Sequence, residues 1–266
     1  MKKRLLFALV PLALAPALAL GQSLKDKLPP PAPAPVEDKT PRDPNRYAAL
    51  SVLGDNVQLI SLSPARGDTV QSGEWTSAPT GGLDNAVLQA VNEALKAGND
   101  KREVKLYTSS TRSLFGDPAG LFVDGRLNLP GKLGDAVRQS GAAHLLLVTR
   151  SRQEPGLAAA LPGRILTALE GPGFVLDQRP SAQIGFDGQP ALPVFAPFVS
   201  IRVALIDLSD LRLKRERSLA VASRLPVDRA AAGNPWTAAT PEQRVKALEA
   251  LIEAQLPKAV ADLVGP

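Results

Sequence analysis

Between Gly141 and Arg150 the chain reads AAHLLLVT, and from Ala143 to Thr149 it is almost continuously apolar. Successive side chains of a strand point to opposite faces, so a run of this kind predicts a strand buried on both sides. Such a strand needs neighbours on both edges and a layer of structure over each face. That favours a sheet covered by helices over an antiparallel sheet with one wet face. The flanks agree, with Gly141 closing the segment before it and the cluster Arg150-Ser151-Arg152 ending it.

Other periodicities supply the covering helices. Leu83, Val87, Val91 and Leu95 fall on one helical stripe, with Asp84 in the first turn and Gly98 just past the end. A short helix is predicted over residues 132–139. Thr240-Pro241-Glu242-Gln243 supplies an N-cap, a proline at the first helical position and a capping-box glutamine. The stripe Val245, Leu248, Leu251, Ile252 and Leu256 continues from it, and Pro257 should kink or divide that helix.

The strand signals are more varied. YAALSVLGDNVQLISL, residues 47–62, predicts two short strands folded as a hairpin about Gly54-Asp55-Asn56. EVKLYT at 103–108 alternates like a strand, and a short strand is predicted at 126–129 in the otherwise loop-rich passage 109–130. Residues 199–225 predict an antiparallel pair. Ile201, Val203 and Leu205 alternate before a turn at Asp207 to Asp210, and Leu211, Leu213, Leu219 and Val221 follow it. Ser63 to Thr80 is polar and rich in turn residues, and its Arg66-Gly67-Asp68 is read as a plain turn rather than an adhesion motif. The order predicts an α/β (α+β) fold: a mixed β-sheet with antiparallel hairpins, packed against about three helices.

The amino terminus constrains location. Lys2, Lys3 and Arg4 precede an uncharged apolar run from Leu5 to Leu20 and the small residues Ala19 and Gly21. This is the pattern of a secretory signal peptide, residues 1–21, cleaved between Ala19 and Gly21. Pro11 and Pro16 interrupt the run, which is shorter than the ~20 apolar residues of a spanning helix, so no stable membrane anchor is expected. Residues 22–45 form a Pro-rich disordered linker, and residues 46–266 a single α/β domain with a Gly/Pro/Phe-rich insertion at about 153–197. Of the formal charge of +5, three positive groups lie in the leader, leaving +2, which gives no concentrated basic footprint for nucleic acid. With no cysteine, disulfides and thiolate metal sites are excluded, and the core alone must stabilise the domain.

No catalytic, cofactor-binding or metal-binding residue is assigned. The single histidine, His144, opens the apolar strand with no acid close in sequence, and is read as structural. In the insertion, Phe174, Phe186, Phe195 and Phe198 form a local aromatic concentration that is read mainly as a satellite core. Were they exposed, residues 156–196 would be the interface, and their removal should leave the fold intact. The acids Asp177 and Asp187, with Arg179, are the candidates for a pocket. Lys214, Arg215, Glu216 and Arg217 could meet a phosphate or lipid headgroup, but are read as charges protecting an edge strand. Phosphate-binding loops, zinc-protease helices, nucleophile elbows, dinucleotide fingerprints and EF-hand loops are all missing from the sequence.

With its leader, YAALSVLGDN, AAHLLLVTRSR and VSIRVALIDL, the chain resembles uncharacterised exported proteins of proteobacteria over roughly residues 46–264. In fold it is loosely similar to the TolB amino-terminal domain and to CsgG-like envelope proteins. Such relatives often carry a lipidated cysteine, and this chain has none. The expectation is a non-catalytic periplasmic protein, an interaction or accessory component of the bacterial cell envelope with an envelope protein as partner. The alternative is a periplasmic small-ligand binder or carboxylate-dependent hydrolase.

Overall fold

The structure, a computed structural model, describes residues 41–65, 68–77, 82–116, 118–153, 168–184 and 187–265. Its centre is a 14-residue strand, β10 (Val194–Asp207). Two strands share one edge of it, placed end to end and both antiparallel to it. β7 (Ala142–Arg150) pairs with residues 201–207, and β9 (Leu169–Asp177) pairs with residues 194–200. The other edge carries β11 (Leu213–Ala222), antiparallel, which completes the pair expected from the sequence.

The next rank repeats the arrangement. β1 (Asp43–Val52) runs parallel to β7, and β2 (Asn56–Ala65) runs parallel to β9. β4 (Glu103–Tyr107) lies parallel outside β1, and β3 (Asp68–Ser77) antiparallel outside β2. A short β8 (Arg152–Gln153) pairs with the start of β9, beside the point where β7 stops. The fold is therefore α+β with a mixed sheet, as the sequence predicts.

Four expectations need correction. β1 and β2 are not a hairpin. They run in the same direction, and Leu53 to Asp55 is a sideways step between them, made at Gly54 with φ +70°. β1 is buried at every position from Tyr47 to Val52, so both its edges are taken by parallel neighbours and none is left for β2. Second, β1 begins at Asp43, inside the segment assigned to the linker, because Asp43 N–H donates to the Gly141 carbonyl and Arg42 to that of Ala142. Third, the polar stretch after Ser63 contains β3, and Ala65 pairs with Asp68; Arg66 and Gly67 lie outside the described residues. Fourth, Pro257 does not divide the last helix, α3 (Pro241–Val264), whose buried Leu256, Ala259 and Val260 hold it to the core on both sides of the proline.

The strand that anchored the reading is covered on both faces. Leu146 and Val148 point into a core shared with α1 (Asp84–Gly98) and α3. Leu145 and Leu147 point the other way, into a core closed by α2 (Gly131–Arg138) and by Leu114, Leu121, Leu127 and Leu129. In that second layer β5 (Phe122–Val123) and β6 (Arg126–Leu127) meet across Asp124-Gly125, both at positive φ, a two-residue turn that the sequence reading passed over. The capping box of α3 forms as predicted, with Thr240 accepting from the Gln243 N–H and Gln243 from the Thr240 N–H. Among the described residues no helix is long and apolar enough to cross a membrane.

Candidate functional site

Strands laid end to end leave a seam, and the seam must be closed by side chains because its backbone groups lack ladder partners. Asp84, in the first turn of α1, closes one side. Its carboxylate accepts from the Ser51 hydroxyl at 2.5 Å, the Leu53 N–H at 2.9 Å and the Gly54 N–H at 3.3 Å. Arg150, the last residue of β7, closes the other side. Its Nε donates to the Leu53 carbonyl at 2.7 Å and its Nη2 to the Asn56 carbonyl at 3.2 Å. Leu53 is thus held by its N–H from one side and by its carbonyl from the other. The Gln58 amide joins β2 to the start of β9, donating to Ala168 O and accepting from Glu170 N–H.

The Arg150 guanidinium is 4.6 Å from the centroid of the Trp75 ring on β3. It is the charged side chain on which the site turns. Burial pushes its pKa down, while the charges of Glu170 and Asp84 pull it back up. Two depressions meet at this arginine. One, of about 680 Å³, is lined by Asp55, Asn56, Ser77, Ser109, Ser110 and Phe115 along with Asp84 and Arg150. The other, of about 460 Å³, runs past Gly116, Ser151, Arg152, Glu170 and Arg202. None of these groups was singled out from sequence. Only Gly54, the Gly171-Pro172-Gly173 run and an arginine ending an apolar strand hint that the ladder breaks here.

The residues that the sequence did single out lie elsewhere and apart. Asp177 is buried and gripped by Arg179, which donates from Nε and Nη2 at 2.8 Å each. Asp187 is exposed and paired with Arg229 at 2.5 Å. Each acid has its own arginine, and Asp177, Arg179 and Asp187 line neither of the two depressions at the seam. His144 sits towards the opposite end of β7 from Arg150. Its ring lies 5.6 Å from that of Tyr47, and its buried Nδ1 has no hydrogen-bond partner among the described residues. The cross-strand residue Asp207 is engaged by Lys214 at 2.8 Å and by Ser209. Burial and the Lys214 charge lower the His144 pKa, against a smaller upward pull from Asp207.

The aromatic residues are core. Phe174 and Phe195 stack at 5.3 Å, and Trp236 meets both edge-on at 5.5 and 5.7 Å. Phe198 is fully buried, and Phe186 lies outside the described residues. The interface guessed for residues 156–196 therefore cannot use Phe174, Phe195 or Phe198. The large apolar side chains that this region exposes among the described residues are Ile184, 78% exposed, and Leu192, 38% exposed. Nor can the region be excised as a unit, since β9 lies within it between β2 and β10. The charged patch lies on β11, whose ladder partner among the described residues is β10 alone: Lys214 pairs with Asp207, Glu216 with Arg202, and Arg217 with Asp262.

No family model and no curated protein matches the chain. Among solved structures it is similar to the DUF330-family protein XCC0632 from Xanthomonas campestris, with 10% identity and a TM-score of 0.34 over 85% of this chain and 89% of that one. It is similar to a PelC dodecamer subunit from Paraburkholderia phytofirmans, with 11% identity and a TM-score of 0.35 over 85% and 94%. A third is the hypothetical protein CT253 from Chlamydia trachomatis, with 10% identity and a TM-score of 0.33 over 82% and 99%. Likeness at this level bears on no residue of the seam.

Proposed function

We propose that the chain is an exported, non-catalytic protein of the bacterial periplasm, an interaction or accessory component of the cell envelope. The leader-like residues 1–21 and the proline-rich residues that follow support export and tethering. One observation carries the non-catalytic part. At the seam and in the 177–190 region, Asp84 and Arg150 already hold backbone groups, Asp177 is tied to Arg179, and Asp187 is tied to Arg229. An acid or base committed in this way holds a surface in shape; it is not poised to transfer a proton.

The partner surface in this reading is the loop carrying Ile184 and Leu192, pinned by the Ile184–Pro190 bridge and by Ala191 N–H donating to Gln183 O. The test is cross-linking of the tagged full chain in intact cells, followed by affinity purification from separated cytosolic, periplasmic and membrane fractions. The expected result is a shortened chain outside the cytosol, with an envelope protein whose capture is lost in an Ile184→Asp, Leu192→Asp variant. Full-length chain confined to the cytosol would overturn export, and capture unchanged in the variant would overturn the interface.

A further inference from the structure

We infer that the seam is a binding site for a small hydroxylated ligand carrying an oxyanion, with the anion in the groove between Arg150 and Arg152. This goes beyond partner binding and does not depend on it, because it concerns a different surface and a ligand that can be titrated in vitro.

Arg150 is only 8% exposed, and among the described residues it has no ion-pair partner. A guanidinium removed from water has lost much of its hydration; backbone carbonyls return part of that loss, and the Asp84 and Glu170 charges act on it without forming an ion pair among the described residues. Its two carbonyl bonds and the Trp75 ring also fix its plane, so little side-chain entropy remains to be lost when an anion arrives. Leu53 and Asn56 hold two of its three nitrogens. Nη1 makes no hydrogen bond among the described residues, and the side chain lines both depressions.

The two depressions differ in chemistry. In the groove, Arg152 is exposed and has no ion pair among the described residues, Arg202 also lines it while paired with Glu216, and Glu170 is the one acid among the described lining residues. In the larger cleft, Asn56, Ser77, Ser109 and Ser110 offer neutral donors and acceptors, and Asp55 offers a carboxylate that accepts from hydroxyl groups and repels an anion. An oxyanion is thus drawn to the arginine side, while a hydroxylated body suits the serine side. The volumes match small-molecule sites, which run from roughly 300 to 1,000 Å³. Arginine forks serve phosphate and carboxylate alike, so both sources belong in the test.

The experiment is calorimetric titration of the purified full chain at low ionic strength with glucose 6-phosphate, glucuronate and glucose. Saturable binding of glucose 6-phosphate above glucuronate assigns a phosphoryl group, and the reverse order assigns a carboxylate. Either is expected, with glucose weaker by about tenfold or more. Because Arg150→Ala also unpins the seam, the deciding variant is Arg152→Ala, whose side chain makes no hydrogen bond or ion pair among the described residues. It should weaken the charged sugar about tenfold at an unchanged melting temperature, with Lys246→Ala on the exposed face of α3 as a neutral control. Absence of saturable binding below about 1 mM, glucose binding as tightly as the charged sugars, or undiminished binding by Arg152→Ala would each overturn the site.

Discussion

β7 and β9 occupy the same edge of β10, and they are held there by different means. β7 is a run of large aliphatic side chains, with Leu145, Leu146 and Leu147 fully buried and alternate residues feeding the two cores. β9 carries Gly171-Pro172-Gly173 in its first half, and its place depends on how little side chain it carries there. A Cβ on Gly173 would fall 2.3 Å from the Gln58 carbonyl and 2.4 Å from the Phe198 ring. One strand is fixed by volume that is present, the other by volume that is missing. The first should therefore be broken by truncation and the second by addition.

Leu147→Ala tests the first half and should be the costliest change. It opens a cavity against Ala48, Leu50 and Ile206 in a rigid layer, for about 3–4 kcal/mol, read from urea unfolding. Gly173→Ala tests the second, at about 3 kcal/mol, since a backbone oxygen rather than a pliable side-chain end must give way. Hydrogen exchange separates the two. Gly173→Ala should speed exchange across β2 and β3 and spare β1 and β4; uniform acceleration through both wings would show that the two halves do not act as separate units.

The same contrast explains what was legible. The apolar run at 143–149, the helical stripes and the Thr240 capping box each report on a local rule, and each was readable. β9 was read as part of an insertion because glycine and proline erase strand periodicity, although here they permit close approach to β2. β1 and β2 were read as a hairpin because a Gly-Asp-Asn triplet looks the same whether the chain reverses or steps sideways. The choice is made by Asp84 and Arg150, both distant in sequence from Leu53, whose roles no local pattern announces. For that reason the candidate site, built from the same two residues, could not be seen in the sequence.

The seam joins the two halves, so loosening it should cost less than breaking either. Asp84→Ala leaves the Leu53 and Gly54 N–H groups and the Ser51 hydroxyl without their acceptor, for about 2 kcal/mol. Arg150 still holds the carbonyl side, so exchange should quicken at Leu53 and Gly54 before it quickens in β7. Equal protection in the variant would mean that the arginine alone fixes the step.

The far end of β7 offers the mildest test, through pH. His144 has its pKa lowered in the fold, so the unfolded chain takes up its proton more readily. Stability from this residue is complete above the ordinary histidine value of 6.5 and declines as pH falls through it. Asp207 works lower on the scale. Burial pushes its carboxyl up, but hydrogen bonds from Lys214 and Ser209 outweigh that and hold it at about 2, against 3.8. Its contribution is present above the unfolded value and is lost as pH falls from about 4 towards 2. Unfolding midpoints measured from pH 7.5 to 5 should therefore slope downward in the native chain and lie flat in His144→Phe. Lys214→Met should lessen that slope without abolishing it, since burial is the larger of its two causes and the Lys214 charge the smaller, while raising the Asp207 titration towards its ordinary value. If His144→Phe keeps the slope, the proton is taken up elsewhere, and the histidine facing Tyr47 is simply a filler of the strand's end.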